Sequence, residues 1–327
     1  MSTQPSTLAE QVSVQQVSDD EFVSTYNPEK MGNNANIAYG GCTIATAVSA
    51  AYQTVTAAYH LYTAMGNYLG PASLDRPIYA KVTRIRDTRT FATRQIQLSQ
   101  KQNDGSMRPC AIVLADFQTQ EPGTLSGMEY SAPPSKKYTR VEDCLSPTDS
   151  IAKMLKEGKI SQQLVQQSKI AFGLNARYLD TAIVPESTMG QNVTGIAKET
   201  ITTQDHLPLV EKTSADWSRC KSVLESEYEH VAGVAFVMDG GLAFMPLAHS
   251  HLFFEDAGAC STLDFSLRFF SNRIDYNVWH LREMKTIRGG EGRTYSEARL
   301  WNEAGELVAS MTQQNILRPP PPPKAAL

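Results

Sequence analysis

Cysteine is scarce in this 327-residue chain, with Cys42, Cys110, Cys144, Cys220 and Cys260 the full set. The number is odd and no Cys-x-x-Cys occurs. Neither a disulfide framework nor a structural zinc site is expected, and a reducing compartment is. An excess of charge of one sign is also missing. Lys and Arg total 30 against 34 Asp and Glu, a formal net charge of −4. That balance leaves no surplus of cations to neutralise a phosphate backbone, so no nucleic-acid partner is expected. The first twenty residues, Met1 to Asp20, are polar and lack the apolar centre of a secretory signal.

Long apolar runs are nearly absent. The exception is Val231–Ala248, VAGVAFVMDGGLAFMPLA, which is close to the shortest length that crosses a bilayer. It holds Asp239 at its centre, the pair Gly240-Gly241 and Pro246. A carboxylate at mid-bilayer costs about 3 kcal/mol, so the run reads as a buried core helix and no membrane span is expected. Several catalytic signatures are missing too. There is no Gly-x-Ser-x-Gly elbow, no Walker A loop, no Gly-x-Gly-x-x-Gly and no His-Glu-x-x-His. No cofactor and no metal are expected. The one close histidine pair, His249 and His251, lacks a ligand pattern and is assigned to a loop or the surface.

What is present is enough apolar material for a core, 41% of residues, in a length suited to about two domains. Asn33 to Gly41 carries turn and cap chemistry and leads into Cys42–Tyr59, CTIATAVSAAYQTVTAAY. That run is almost uncharged and predicts a helix buried on nearly all sides. Strand patterns follow at Pro77–Arg86, Arg89–Leu98 and Pro109–Gln118, with a hairpin turn at Asn103-Asp104-Gly105. Prolines at 122, 133, 134 and 147 mark a linker, and Ile151–Ser168 predicts a polar connecting helix.

The second half repeats the plan. A helix over about Ser222–Met245 precedes strands at Cys260–Phe270, Tyr276–Met284, Arg293–Asn302 and Glu306–Leu317. Arg89-Thr90-Phe91-Ala92-Thr93-Arg94 has a counterpart at Arg293-Thr294-Tyr295-Ser296-Glu297-Ala298-Arg299. A long buried helix followed by an antiparallel sheet, twice over, predicts an α+β double hotdog. The expected division is an N-terminal hotdog domain at 1–120, a linker with a polar helix at 121–175, a C-terminal hotdog domain at 176–318 and a Pro-rich tail at 319–327.

Asp239 is the one charged residue between His230 and Glu255. A carboxylate there must be paired, hydrogen-bonded or protonated. It is either a functional acid or the cap of a helix break at Asp239-Gly240-Gly241. Thr262 and Gln313 are polar positions in otherwise packable strands, open to either a solvent-facing or a functional role. Cys42 sits near a helix start, where thiolates are stabilised, but burial as a small apolar residue is the better reading.

The sequence resembles the acyl-CoA thioesterase II family, the TesB-like double-hotdog thioesterases, over roughly Asn33 to Arg318. In the first half the resemblance rests on Tyr39-Gly40-Gly41, Asn67-Tyr68-Leu69-Gly70-Pro71-Ala72, Val82 to Asp87, Arg89 to Arg94 and Ala115-Asp116-Phe117-Gln118. In the second half it rests on Met238-Asp239-Gly240-Gly241, Ser261 to Ser266 and Leu307 to Gln313. It implies that Asp239, Thr262 and Gln313 are the catalytic residues, activating a water that hydrolyses an acyl-CoA substrate to the free acid and CoA. The chain departs from the family pattern at Cys42, where Gln is usual, at Phe265, where His is usual, and at Leu267-Arg268-Phe269-Phe270.

In the mechanism so implied, Asp239 is the general base while Thr262 and Gln313 hold the base and the water in line. Backbone N–H groups at Gly40-Gly41 or Gly240-Gly241 are candidates for the oxyanion hole, and Arg84, Arg86, Arg268 and Arg273 for the CoA phosphates. Two rival readings stay open: an acyl-CoA-dependent acyltransferase or biosynthetic tailoring enzyme on the same scaffold, and a non-catalytic acyl-CoA-binding protein. A hydratase is less favoured, because no His follows Asp239 at short helical spacing. A homo-oligomer is possible. The compartment is cytoplasmic or peroxisomal, since Ala325-Ala326-Leu327 is a degenerate form of a peroxisomal signal.

Overall fold

The two nearly uncharged runs fold as helices, and both stop earlier than composition suggests. The computed structural model describes residues 4–33 and 35–320; the terminal Ala325-Ala326-Leu327 lies outside the described residues. In chain order the elements are α1 (Leu8–Val12), β1 (Val14–Ser18), β2 (Glu21–Ser24), α2 (Gly40–Tyr52), β3 (Tyr59–Tyr68), β4 (Tyr79–Asp87), β5 (Phe91–Lys101) and β6 (Met107–Thr119). Helices α3 (Pro147–Lys156) and α4 (Gln162–Tyr178) follow, then β7 (Leu179–Ile183), α5 (Thr188–Gln191), β8 (Ser214–Cys220), α6 (Glu227–Met238) and α7 (Met245–His249). Strands β9 (Ala259–Phe269), β10 (His280–Gly290), β11 (Arg293–Asn302) and β12 (Leu307–Arg318) complete the chain.

The helix expected over Cys42–Tyr59 ends at Tyr52; residues 53–58 form turns, and strand β3 starts at Tyr59, where the run ends. The buried guanidinium of Arg94 explains the stop. Its Nη2 donates to the Thr54 carbonyl at 3.1 Å and its Nε to the Thr54 hydroxyl at 2.8 Å, pinning the turn just past the C-cap Gln53. The helix expected over about Ser222–Met245 begins at Glu227, where the Glu229 carboxylate accepts the Ser226 N–H at 2.9 Å. It breaks after Met238: Gly241 takes φ +101°, which glycine tolerates and other residues resist. The apolar run Val231–Ala248 is therefore two helices and a turn. Among the described residues no helix is long and apolar enough to cross a membrane.

Among the described residues twelve strands form one sheet in the order β1-β2-β4-β5-β6-β3-β9-β12-β11-β10-β8-β7. The order is symmetric about the β3–β9 junction, where Ala64 pairs with Leu267 and Gly66 with Phe265 in antiparallel register. Joining the two half-sheets there leaves no free edge at the centre. The matching segments at Arg89–Arg94 and Arg293–Arg299 fall at β5 and β11, which hold equivalent places in the two halves. This is the double hotdog: two core helices, α2 and α6, wrapped by one antiparallel sheet. Strands β1, β7 and β8 lie at or beside the outer edges. These three are short or polar and carry no clear strand pattern, and β3 too falls outside the predicted strands.

The core helices run antiparallel. Tyr39, before α2, donates from its hydroxyl to the Phe236 carbonyl near the end of α6 at 2.5 Å. At the other end, Tyr52 of α2 donates to the Glu227 carboxylate at the start of α6 at 2.9 Å. Small residues on α2 allow this approach, and its buried hydroxyls return their hydrogen bonds to backbone, Thr46 to the Cys42 carbonyl and Ser49 to the Val12 carbonyl. Contact is tightest at Gly41, where a β-carbon would fall 2.4 Å from the Phe236 carbonyl oxygen. Gly41→Ala is expected to destabilise the fold by about 1–3 kcal/mol through overpacking against backbone. A urea midpoint equal to that of the wild type would show that the helices have room to part.

The linker region departs from a solvated connector. Helix α4 runs to Tyr178, whose hydroxyl donates to Glu29 at 2.8 Å, and Arg177 pairs with the same carboxylate. Phe172 on its inner side packs among Phe244, Phe253 and Phe254.

Candidate active site

The antiparallel packing brings the N-terminus of α2 against the C-terminus of α6. Asp239 follows α6 directly, at its C-cap. The glycine turn behind it does break the helix, but the Asp239 side chain does not cap α7, whose N-cap, Phe244, makes no side-chain cap bond. Instead the carboxylate turns toward the start of α2 and the inner face of the sheet. Gln313 on β12, fully buried, donates from Nε2 to Asp239 Oδ1 at 2.7 Å. Thr262 on β9, the next strand, donates from Oγ1 to Gln313 Oε1 at 3.4 Å. All three sequence candidates are therefore assembled, in a chain rather than around one point. Thr262 fixes the Gln313 amide, and Gln313 holds the acid.

Asp239 is only 6% exposed. Burial pushes its carboxyl up from the ordinary 3.8 to about 6, and the Gln313 side chain, the Gly41 amide and the Tyr68 hydroxyl offset part of that rise. The open N–H groups in the first turn of α2 favour the anion, while the carbonyl end of α6 opposes it. A carboxyl of this kind is ionised at neutral pH yet far more basic than a surface aspartate, the condition a general base requires. It opens on a cavity of about 290 Å³ whose walls include Tyr39, Gly40, Tyr68, Gly241, Ala243 and Thr262.

The remaining candidates separate from this centre. Cys42 is buried and its thiol is pushed up to about 12 by desolvation, so it is no thiolate nucleophile. Of the candidate oxyanion amides, that of Gly240 donates to the Val237 carbonyl at 3.0 Å and that of Gly41 faces Asp239, so these two are engaged, while Gly40 and Gly241 line the cavity. Arg84 pairs with Asp20, Arg86 pairs with Asp116, and none of the four candidate arginines lines the cavity. The expectation of a surface role for the histidine pair is wrong at His249, which is fully buried with Nε2 2.7 Å from the Ser214 hydroxyl. His251 bonds Asp205 at 2.8 Å.

Family models match both halves of the chain. Residues 27–118 match the acyl-CoA thioesterase N-terminal domain and residues 181–317 match the acyl-CoA thioesterase C-terminal domain. The chain belongs to the acyl-CoA thioesterase family. Solved structures show the same fold. The acyl-CoA thioesterase II TesB2 of Mycobacterium marinum is 18% identical with a TM-score of 0.65, over 96% of this chain and 98% of that one. A TesB protein of Mycobacterium avium subsp. paratuberculosis is 16% identical with a TM-score of 0.67, over 95% and 98%. A hotdog protein of unknown function from Alicyclobacillus acidocaldarius is 14% identical with a TM-score of 0.66, over 96% and 98%.

Within this acyl-CoA thioesterase fold, two of the positions noted as unusual border the site. Phe265 is buried opposite Gln313 in the β9–β12 ladder and beside Tyr68, with ring centroids 6.1 Å apart. Cys42 lies in the first turn of α2. The sequence reading did not single out Arg282 on β10. Its buried Nη1 donates to the Val237 and Gly240 carbonyls, each at 2.8 Å, and its Nη2 pairs with Asp216 at 2.7 Å. It thus ties down the α6 terminus on either side of Asp239. A buried Arg in a strand, opposite a helix end rich in open carbonyls, is the signal that could have found it.

Proposed function

We propose that the chain hydrolyses acyl-CoA thioesters to free carboxylic acid and CoA, with water as the nucleophile. The observation that carries this reading is the buried Asp239 carboxylate, held by Gln313 on a cavity wall, with a pKa near 6. Asp239 draws a proton from the water as its oxygen attacks the thioester carbonyl. Gln313 keeps one carboxylate oxygen engaged, so the other is presented to the cavity. Thr262 acts through Gln313, because its hydroxyl reaches the amide oxygen of that side chain. The collapsing intermediate expels the CoA sulfur. With Cys42 held as a neutral thiol, direct attack by water is favoured over a covalent acyl-cysteine.

The test is thiol release from a panel of acyl-CoA esters, read with a disulfide reagent between pH 5 and 9. The base must be ionised to act. The log of kcat/KM is therefore expected to climb with unit slope below about pH 6 and to level above it. A profile flat down to pH 5 would contradict Asp239 as the base. Binding of acyl-CoA with no thiol released would point to a binding protein. Thiol release that requires an added alcohol or amine would point to an acyltransferase.

A further inference from the structure

We infer that the Tyr68 hydroxyl is the hydrogen-bond donor for the thioester oxyanion in this site, an inference that rests on the hydrolytic reading above. Tyr68 is the last residue of β3, in the N-terminal half-sheet, whereas Asp239, Thr262 and Gln313 all come from the C-terminal half. Its hydroxyl oxygen is buried and finds no hydrogen bond of normal geometry within the protein, although Asp239 lies close enough to couple to it, and its side chain forms part of the cavity wall. A buried donor without a partner is costly, and in a substrate cavity the missing partner is supplied by the ligand.

The geometry places this hydroxyl beside the base. A β-carbon on Gly40 would fall 2.5 Å from Tyr68 Oη and 2.8 Å from Asp239 Oδ2. Both oxygens therefore converge on one small space that only glycine leaves open. The phenol is near enough to influence the ionisation of Asp239 without a hydrogen bond of normal geometry to it.

The side-chain donors around this point are otherwise engaged, and so is the Gly41 amide. Gln313 Nε2 and the Gly41 amide serve Asp239, the Thr262 hydroxyl serves Gln313, and the Tyr39 hydroxyl serves Phe236. Tyr68 is the side-chain donor of this group that lacks a hydrogen bond of normal geometry to an acceptor. Burial and the nearby Asp239 hold its phenol well above the ordinary range, so it keeps its proton and donates.

The step balances on these groups. The water oxygen bonds to the carbonyl carbon and one water proton passes to Asp239. The carbonyl oxygen takes the displaced electron pair as an oxyanion, which accepts the Tyr68 O–H. When the C=O bond re-forms, the C–S bond breaks and its pair leaves on sulfur. The proton held by Asp239 returns to the CoA thiolate, and the carboxylic acid departs.

Tyr68→Phe keeps the ring that packs beside Phe265 and deletes only the donor. The expected result is a kcat lower by about 10²–10³-fold with KM within about twofold of wild type. The melting temperature should not fall. Two CoA analogues separate a role in the reaction from a structural one. A trifluoromethyl ketone forms a tetrahedral hydrate and should bind the variant at least about tenfold more weakly, whereas a non-hydrolysable thioether should bind both proteins equally. Equal weakening of both analogues, or an unchanged kcat, would overturn the assignment. If wild type releases no thiol from any acyl-CoA, the hydrolytic reading fails, and the ketone-to-thioether ratio still reports on Tyr68 independently.

Discussion

Asp239→Asn is expected to fold and to release CoA about 10²–10⁴-fold more slowly than wild type. Asparagine keeps the shape and can still accept from Gln313 Nε2, but it cannot take a proton from water. The same substitution carries a second expectation, opposite in sign. The folded pKa of Asp239, about 6, lies above the ordinary 3.8. Between those values the folded chain holds more protons than the unfolded chain, so stability falls as pH rises through that window. Near pH 7 the cost is about 3 kcal/mol. Asn escapes it, so the variant should be more stable than wild type at pH 7, by up to that amount, and should lose the advantage near pH 4. Urea unfolding of both proteins at the two pH values gives the comparison. A variant that is inactive and also less stable at both would mark Asp239 as structural.

Gln313→Met is expected to show its effect in the pH profile. The bond from Gln313 Nε2 to the carboxylate is a charge-assisted one, 2.7 Å long, in a fully buried setting. Such bonds contribute about 1.5–3 kcal/mol. Methionine fills nearly the same volume and donates nothing. The pKa of Asp239 should rise by about one to two units, carrying the acid limb of kcat/KM from about 6 to about 7–8. At pH 6 the rate should fall by about tenfold or more, and at pH 9 most of that loss should be recovered. Thr262→Val should move the limb the same way by less, since Thr262 reaches the base only through Gln313. A limb that stays at 6 in Gln313→Met would show that the amide does not set the ionisation of Asp239.

Residues differ in how much of this was legible beforehand. Asp239 could be found from the chain alone, because a lone acid in a long uncharged run demands an explanation. Thr262 and Gln313 could not. Polar residues in strands are commonplace, and only the resemblance to a known family linked them to Asp239. The repeat at Arg89 and Arg293 was legible and falls on equivalent strands β5 and β11.

The helix ends were not legible. Both core helices are apolar on nearly all sides, so hydrophobic period carries no information about where they stop. Long-range donors decide it, Arg94 at Thr54 and Arg282 at Val237 and Gly240. Strand β3 begins at the last residue of the Cys42–Tyr59 run and was not predicted, and Tyr68 at its end was noted as part of a family segment but given no role. Its significance depends on the pairing of β3 with β9 and on the gap at Gly40, neither of which leaves a local mark in the sequence.

The central claim is that water, activated by Asp239, attacks the thioester directly. The measurement that tests it most directly is turnover of an acyl-CoA in ¹⁸O-labelled water, with free CoA and the acid product both quantified by mass spectrometry. The account predicts one acid released per thiol, each acid carrying one solvent oxygen, and loss of both products together in Asp239→Asn. Thiol release without a matching labelled acid would show that the acyl group goes elsewhere, and would contradict it.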